Sequence, residues 1–103
     1  METKDAVTKL SALAQETRLD IFRLLVRHGN EALPAGRIAD TLDLPANTLS
    51  FHLKELQNAG LITSERQGRF ILYQLHIPGM SDLLGFLSKD CCQGRPDLCC
   101  PKT

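Results

Sequence analysis

Cysteine is absent from the first ninety residues of this 103-residue chain. A small domain can be stapled by disulfides, but this one must hold its core by apolar packing. Nor is there a run of eighteen uncharged apolar residues, and the opening METKDAVTKL contains no apolar h-region. Membrane insertion and secretion are therefore not expected, and a cytoplasmic location is. Net charge is missing too, since twelve Lys and Arg balance twelve Asp and Glu. A strongly basic nucleic-acid coat is excluded, so any DNA binding must come from the placement of individual residues. No internal repeat or low-complexity linker divides the chain. At 43% hydrophobic it can bury one core, small enough to gain from a partner chain.

What is present is helical periodicity. From Asp5 to about Ala14 the residues Val7, Leu10, Leu13 and Ala14 recur at spacings of three and four. A second helix is expected with Thr17 as its cap and Asp20 reaching back, and with Leu19, Ile21, Phe22, Leu24, Leu25 and Val26 as a wide buried face. Gly29 and Asn30 end it. Pro34 suits the first turn of a third, short helix carrying Ile38, Ala39 and Leu42, which Asp43, Leu44 and Pro45 break. Leu49, Leu53 and Leu56 then step along a fourth helix, closed by Asn58 to Gly60.

Beyond Gly60 the period changes. LITSERQGRFILYQL reads as two strands around Arg66 to Arg69, with Gly68 in the turn. Pro78 and Gly79 open a last helix to about Lys89, with Met80, Leu83, Leu84, Phe86 and Leu87 on its apolar face. Helix, three-residue turn, helix, hairpin is the order of a winged helix-turn-helix, a mainly α fold with a β-hairpin wing whose second helix enters the DNA major groove. Residues 1–90 make one DNA-binding and dimerisation domain, and residues 91–103 a separate tail. Leu10, Leu13, Leu83, Leu84 and Phe86, on helices at the two ends of the chain, can form one apolar surface that predicts a dimer.

Packing Leu49, Leu53 and Leu56 inward leaves Ala46, Asn47, Ser50, Phe51 and Lys54 outside, with Thr48 and His52 towards the edges. Asn can bond adenine twice, Ser can reach phosphate or base, and Phe can touch a thymine methyl. Arg66 and Arg69 of the wing fall where phosphates flank the groove. The candidate DNA-binding residues are thus Asn47, Thr48, Ser50, Phe51, His52, Lys54, Arg66 and Arg69, and the expected partner is double-stranded operator DNA.

ALAQETRLDIFRLL, NTLSFHLKELQNAGLI and RQGRFILYQL, in that order, resemble the signature of the ArsR/SmtB family of metal-responsive repressors. The resemblance covers roughly residues 7 to 90. It implies a symmetric homodimer held by the first and last helices, a helix-turn-helix over residues 34 to 57, and release of operator DNA on metal binding. Phe51 stands where a basic residue is more usual in the family. Two of its familiar metal sites are missing: Pro34, Ala35 and Gly36 replace Cys-Val-Cys at the third helix, and only Asp82 offers a ligand on the last.

The tail, DCCQGRPDLCC, holds all four thiols: Cys91, Cys92, Cys99 and Cys100. Such an all-sulfur donor set favours soft ions, and trivalent arsenic or antimony needs only three thiolates. The resemblance to arsenic-responsive members, which carry an adjacent pair and a third cysteine near the C-terminus, implies Cys91, Cys92 and Cys99 as ligands, with Cys100 as substitute or fourth. A soft divalent metal, thiol oxidation and a tail without function compete for the same residues. No catalytic constellation or organic cofactor is expected, because an adjacent pair at a helix C-terminus lacks the setting that activates a redox thiol.

Overall fold

The computed structural model describes residues 1–89. Five helices and a three-stranded antiparallel sheet follow one another as α1 (Thr3–Leu13), α2 (Glu16–His28), β1 (Leu33–Pro34), α3 (Ala35–Leu42), α4 (Ala46–Asn58), β2 (Ile62–Gln67), β3 (Phe70–Leu75) and α5 (Ile77–Ser88). This is the winged helix-turn-helix that the sequence predicts.

Local chemistry starts and stops the helices. Asp5 accepts the backbone N–H of Glu2 at 3.2 Å and so closes the first turn of α1. At α2 the cap is Gln15, whose Oε1 accepts the Arg18 N–H at 2.8 Å. The expected Thr17 cap is displaced because the helix starts two residues earlier: Gln15 is extended and caps the Arg18 N–H, which places Thr17 inside the helix. Gly29 ends α2, with its N–H on the carbonyls of Leu25 and Val26. Pro34 stands one residue ahead of α3 as its N-cap, not inside its first turn.

That shift goes with a strand which periodicity could not show. Leu33 and Pro34 pair with Tyr73 and Leu72, so the sheet order is β1-β3-β2. Two residues carry no period, and proline is tolerated because β1 lies at the sheet edge. Between α3 and α4 the three-residue turn is as expected, with Asp43 in the left-handed region at φ 54°. Aspartate is among the residues that tolerate it.

Ile21, Leu25, Leu33, Ile38, Leu49, Leu53, Leu56, Leu61 and Ile62 are enclosed to within 2% of complete burial, giving one core shared by α2, α3, α4 and the base of the sheet. Leu19 and Val26 do not join it. Seven residues apart, they share the side of α2 away from Ile21 and Leu25, and both are exposed. The start of α5 is pinned to the end of α4: the Leu61 carbonyl accepts the His76 N–H at 2.9 Å. A Cβ on Gly79 would meet the Gly60 carbonyl oxygen, so only glycine permits this approach.

Candidate nucleic-acid interface

Burial divides α4 cleanly. Leu49, Leu53 and Leu56 are 1%, 1% and 0% exposed, and they hold the helix on the core. Asn47, Thr48, Ser50, Phe51 and Lys54 are all exposed. The structure thus brings five of the eight candidate residues together on the outer side of α4. Gln57, which sequence reasoning missed, donates from Nε2 to Ser64 Oγ at 3.0 Å and ties this helix to β2. Its position seven residues after Ser50 and three after Lys54 puts it on their side of the helix, so the hairpin is moored beside the exposed face.

His52 departs from the expectation. It is buried, because it lies three residues after Leu49 and four before Leu56 and so shares their face. Placing it at an edge with a contact to DNA is corrected on that ground. Its ring stacks edge-on against Phe51, with centroids 5.6 Å apart. Nδ1 has no hydrogen-bond partner among the described residues. Burial, then the nearby Arg18 charge, hold its pKa below the usual histidine value, with Glu55 opposing them in part. The neutral ring is therefore the favoured form, a structural role for a residue that looked like a reader.

Phe51 is 57% exposed. It lies at the seam between the outer face of α4 and a cleft of about 500 Å³ whose other walls include Val7, Thr8 and Ser11 of α1. The hairpin carries the remaining two candidates. Gln67 pairs with Phe70, leaving Gly68 and Arg69 as a two-residue turn, and only Gly68 of the two has positive φ, at 61°. That is the pattern of a type II′ turn, whose twist matches the strands. Arg66 and Arg69 are exposed near this tip. Neither has an acidic partner among the described residues, where the one basic–acidic side-chain contact is His28 Nδ1 with Glu31 Oε1 at 3.8 Å. Residues 61–80 carry one net positive charge and residues 31–60 two net negative charges, so the wing is the more favourable element for phosphate.

Cys91, Cys92, Cys99 and Cys100 lie outside the described residues. Among the described residues no group of three or more His, Cys, Asp or Glu is placed to hold a metal ion. Asp82 is exposed on α5. No described helix is long and apolar enough to cross a membrane.

A family model for a helix-turn-helix domain matches residues 13–65. The arsenical resistance operon repressor of Bacillus subtilis is 31% identical over 96 residues, covering 88% of this chain and 87% of that one. The chain belongs to the ArsR/SmtB family. The transcriptional activator HlyU of Vibrio cholerae is 30% identical over 90 residues, 87% of this chain and 81% of HlyU. Among solved structures, an ArsR-like transcriptional regulator from Rhodococcus superposes with a TM-score of 0.75 at 26% identity, over 87% of this chain and 82% of that one. These relatives are transcriptional regulators and not enzymes, and membership in ArsR/SmtB makes this chain a DNA-binding regulator of the same kind.

Proposed function

We propose that this ArsR/SmtB protein is a cytoplasmic homodimeric repressor. It holds duplex operator DNA with α4 and the wing and releases it when trivalent arsenic or antimony binds the thiolates of the tail. Asn47, Thr48, Ser50, Phe51 and Lys54 meet the major groove, and Arg66 and Arg69 meet flanking phosphates. The observation that carries the reading is the division of α4: leucines sealed on one side, and on the other an exposed set of hydrogen-bonding side chains.

Assembly follows from the helices at the chain ends. Val7 and Leu10 of α1 and Leu84 and Leu87 of α5 are exposed apolar side chains that a second copy can cover. The surface differs in membership from the sequence expectation. Leu83 is buried within its own chain, while Leu13 and Phe86 are only half-exposed. Joining these ends into a two-fold dimer spaces two copies of α4 on one side of DNA.

The sensing half rests on donor chemistry. Four thiols follow directly after α5, and within one chain the described residues offer no other grouped ligands. Cys91, Cys92 and Cys99 supply the three sulfurs that a trivalent metalloid takes, with Cys100 in reserve. A bound metalloid ties the tail into a loop, and the strain reaches α5, which is pinned to the end of α4 at Gly60 and Gly79. A coupling of about 1–3 kcal/mol then weakens DNA binding roughly 5- to 150-fold. A second reading, oxidation of the same thiols, is favoured by the proximity of two adjacent pairs.

Fluorescence anisotropy of the operator complex, titrated with arsenite under reducing conditions, tests the proposal. Cys91→Ser, Cys92→Ser and Cys99→Ser proteins should fold and bind DNA as the wild type does but stay bound at arsenite concentrations that release it. Cys100→Ser should show a smaller defect. Full release of the Cys91→Ser and Cys92→Ser proteins by arsenite would end the metalloid reading. Release by a mild oxidant and not by arsenite would move the function to thiol oxidation.

A further inference from the structure

The large exposed apolar side chains fall into groups with different explanations. Val7, Leu10, Leu84 and Leu87 lie on α1 and α5, on the surface proposed above for a second copy. Phe51 and Phe70 do not. At 57% and 63% they are the two most exposed large apolar side chains among the described residues, and they sit on α4 and at the wing tip. Phe51 has a place in the major groove. Phe70 has none in the function described so far.

Its surroundings are specific. Phe70 is the first residue after the two-residue turn, directly beside Arg69 and paired across the strands with Gln67. Arg66, paired with Ile71 one step further from the tip, lies on the opposite face of the hairpin, so two cations without acidic partners among the described residues stand near the tip, with Arg69 next to Phe70 in sequence. A two-stranded ribbon is wider than a minor groove about 6 Å across, so the side chains at the tip are the part that can enter it. The mooring of β2 by Gln57 and Ser64 fixes where the tip is carried relative to α4. Arginine beside an exposed apolar wedge is the equipment of proteins that enter the minor groove and partly unstack a base step.

We propose that Phe70 is an apolar wedge, which the wing places in the minor groove next to the stretch read by α4, opening a base step and bending the operator. The proposal rests on the DNA-binding reading above and adds to it a residue that selects sequence by deformability. Arg66 and Arg69 hold the flanking phosphates, and Phe70 favours sites with an easily unstacked pyrimidine–purine step. Phosphate contacts alone give affinity without that preference.

The test uses the full-length protein and a duplex selected from a random pool for tight binding to it, with a donor and an acceptor dye at its two ends. Energy transfer should report a bend of about 20–90° with the wild type. With Phe70→Ala the bend should fall and affinity for the selected duplex should drop about tenfold, while affinity for random DNA and the salt slope stay unchanged. Phe70→Leu should restore much of the bend, and Ile71→Ala should have the smaller effect. A straight wild-type complex, an unchanged bend with Phe70→Ala, or a defect carried by Ile71 instead would overturn the wedge. So would a change in oligomeric state with Phe70→Ala, since the ring would then belong to a protein interface. Failure of the wild type to bind any duplex would remove the DNA-binding reading and the wedge together, whereas normal binding with an unaffected Phe70→Ala protein removes the wedge alone.

Discussion

Helices α4 and α5, thirteen and twelve residues long, treat their leucines in opposite ways. In α4 every leucine is sealed against the core, and the outer side carries Asn47, Ser50 and Lys54 around one exposed ring, Phe51. In α5 only Leu83 is sealed, while Leu84 and Leu87 are more than half exposed. A helix whose outer side is mostly polar can approach a hydrated polyanion with little stranded apolar surface. One whose outer side is apolar needs another protein surface. The contrast supports the proposal that α4 meets DNA and α5 a second copy of the chain.

The most damaging way to break the comparison is to attack the sealed side of α4. Leu53→Ala should lower stability by about 2–5 kcal/mol, read from urea unfolding, because a site at 1% exposure cannot collapse onto the cavity. The same substitution at Leu84, exposed in the single chain, should barely change the stability of the isolated subunit.

A charge on the outer side of α5 sharpens the assignment. Leu84→Glu together with Leu87→Glu should give a monomer by light scattering at micromolar concentration. Operator affinity should fall on the order of 10²-fold, since two half-sites are no longer held together. A stable dimer in that protein would reassign the apolar face.

On the outer side of α4, Asn47→Ala and Ser50→Ala should each cost about 1–3 kcal/mol of operator binding with no change in the unfolding midpoint. Arg69→Ala should act evenly across sequences and flatten the slope of log affinity against log salt by about 0.9, the signature of one lost phosphate contact. Equal salt slopes for wild type and Arg69→Ala would remove the wing from the interface.

The smallest effect concerns His52, the polar residue on the sealed side. Its pKa is lowered in the folded chain, so the unfolded chain takes up the proton first as pH falls below its ordinary value of 6.5. The contribution to stability is complete above that value and is lost as pH drops through it towards the folded pKa. His52→Gln should lack this part of the pH dependence, measured as unfolding midpoints between pH 7 and pH 5. An identical profile in the variant would place the titration elsewhere.

Legibility of these features followed the length of the pattern that carried them. The heptad-like spacing of Leu49, Leu53 and Leu56 and the Gly68 hairpin could be read because several residues repeat one instruction. His52 obeys the same spacing, but its polarity argued against burial; it is buried because it shares the face of Leu49 and Leu56. Leu33 and Pro34 make a strand too short to have a period. The expected cap of α2 lies two residues too late because Thr17 and Gln15 can each cap a helix, and the extended backbone at Gln15 chooses between them.

The order of elements, the polar outer row of α4 and the confinement of every thiol to residues 91–100 were set by the sequence itself, because they depend only on residue type and spacing along the chain. Which leucines of α5 remain outside, whether the side of α2 that carries Leu19 and Val26 is covered, and where the wing is moored were decided by the tertiary structure. Each depends on contact between residues distant in the chain. Gly79 meets Gly60, and Gln57 reaches Ser64, only after helix and hairpin have packed, and no local pattern encodes the face that packing will leave uncovered.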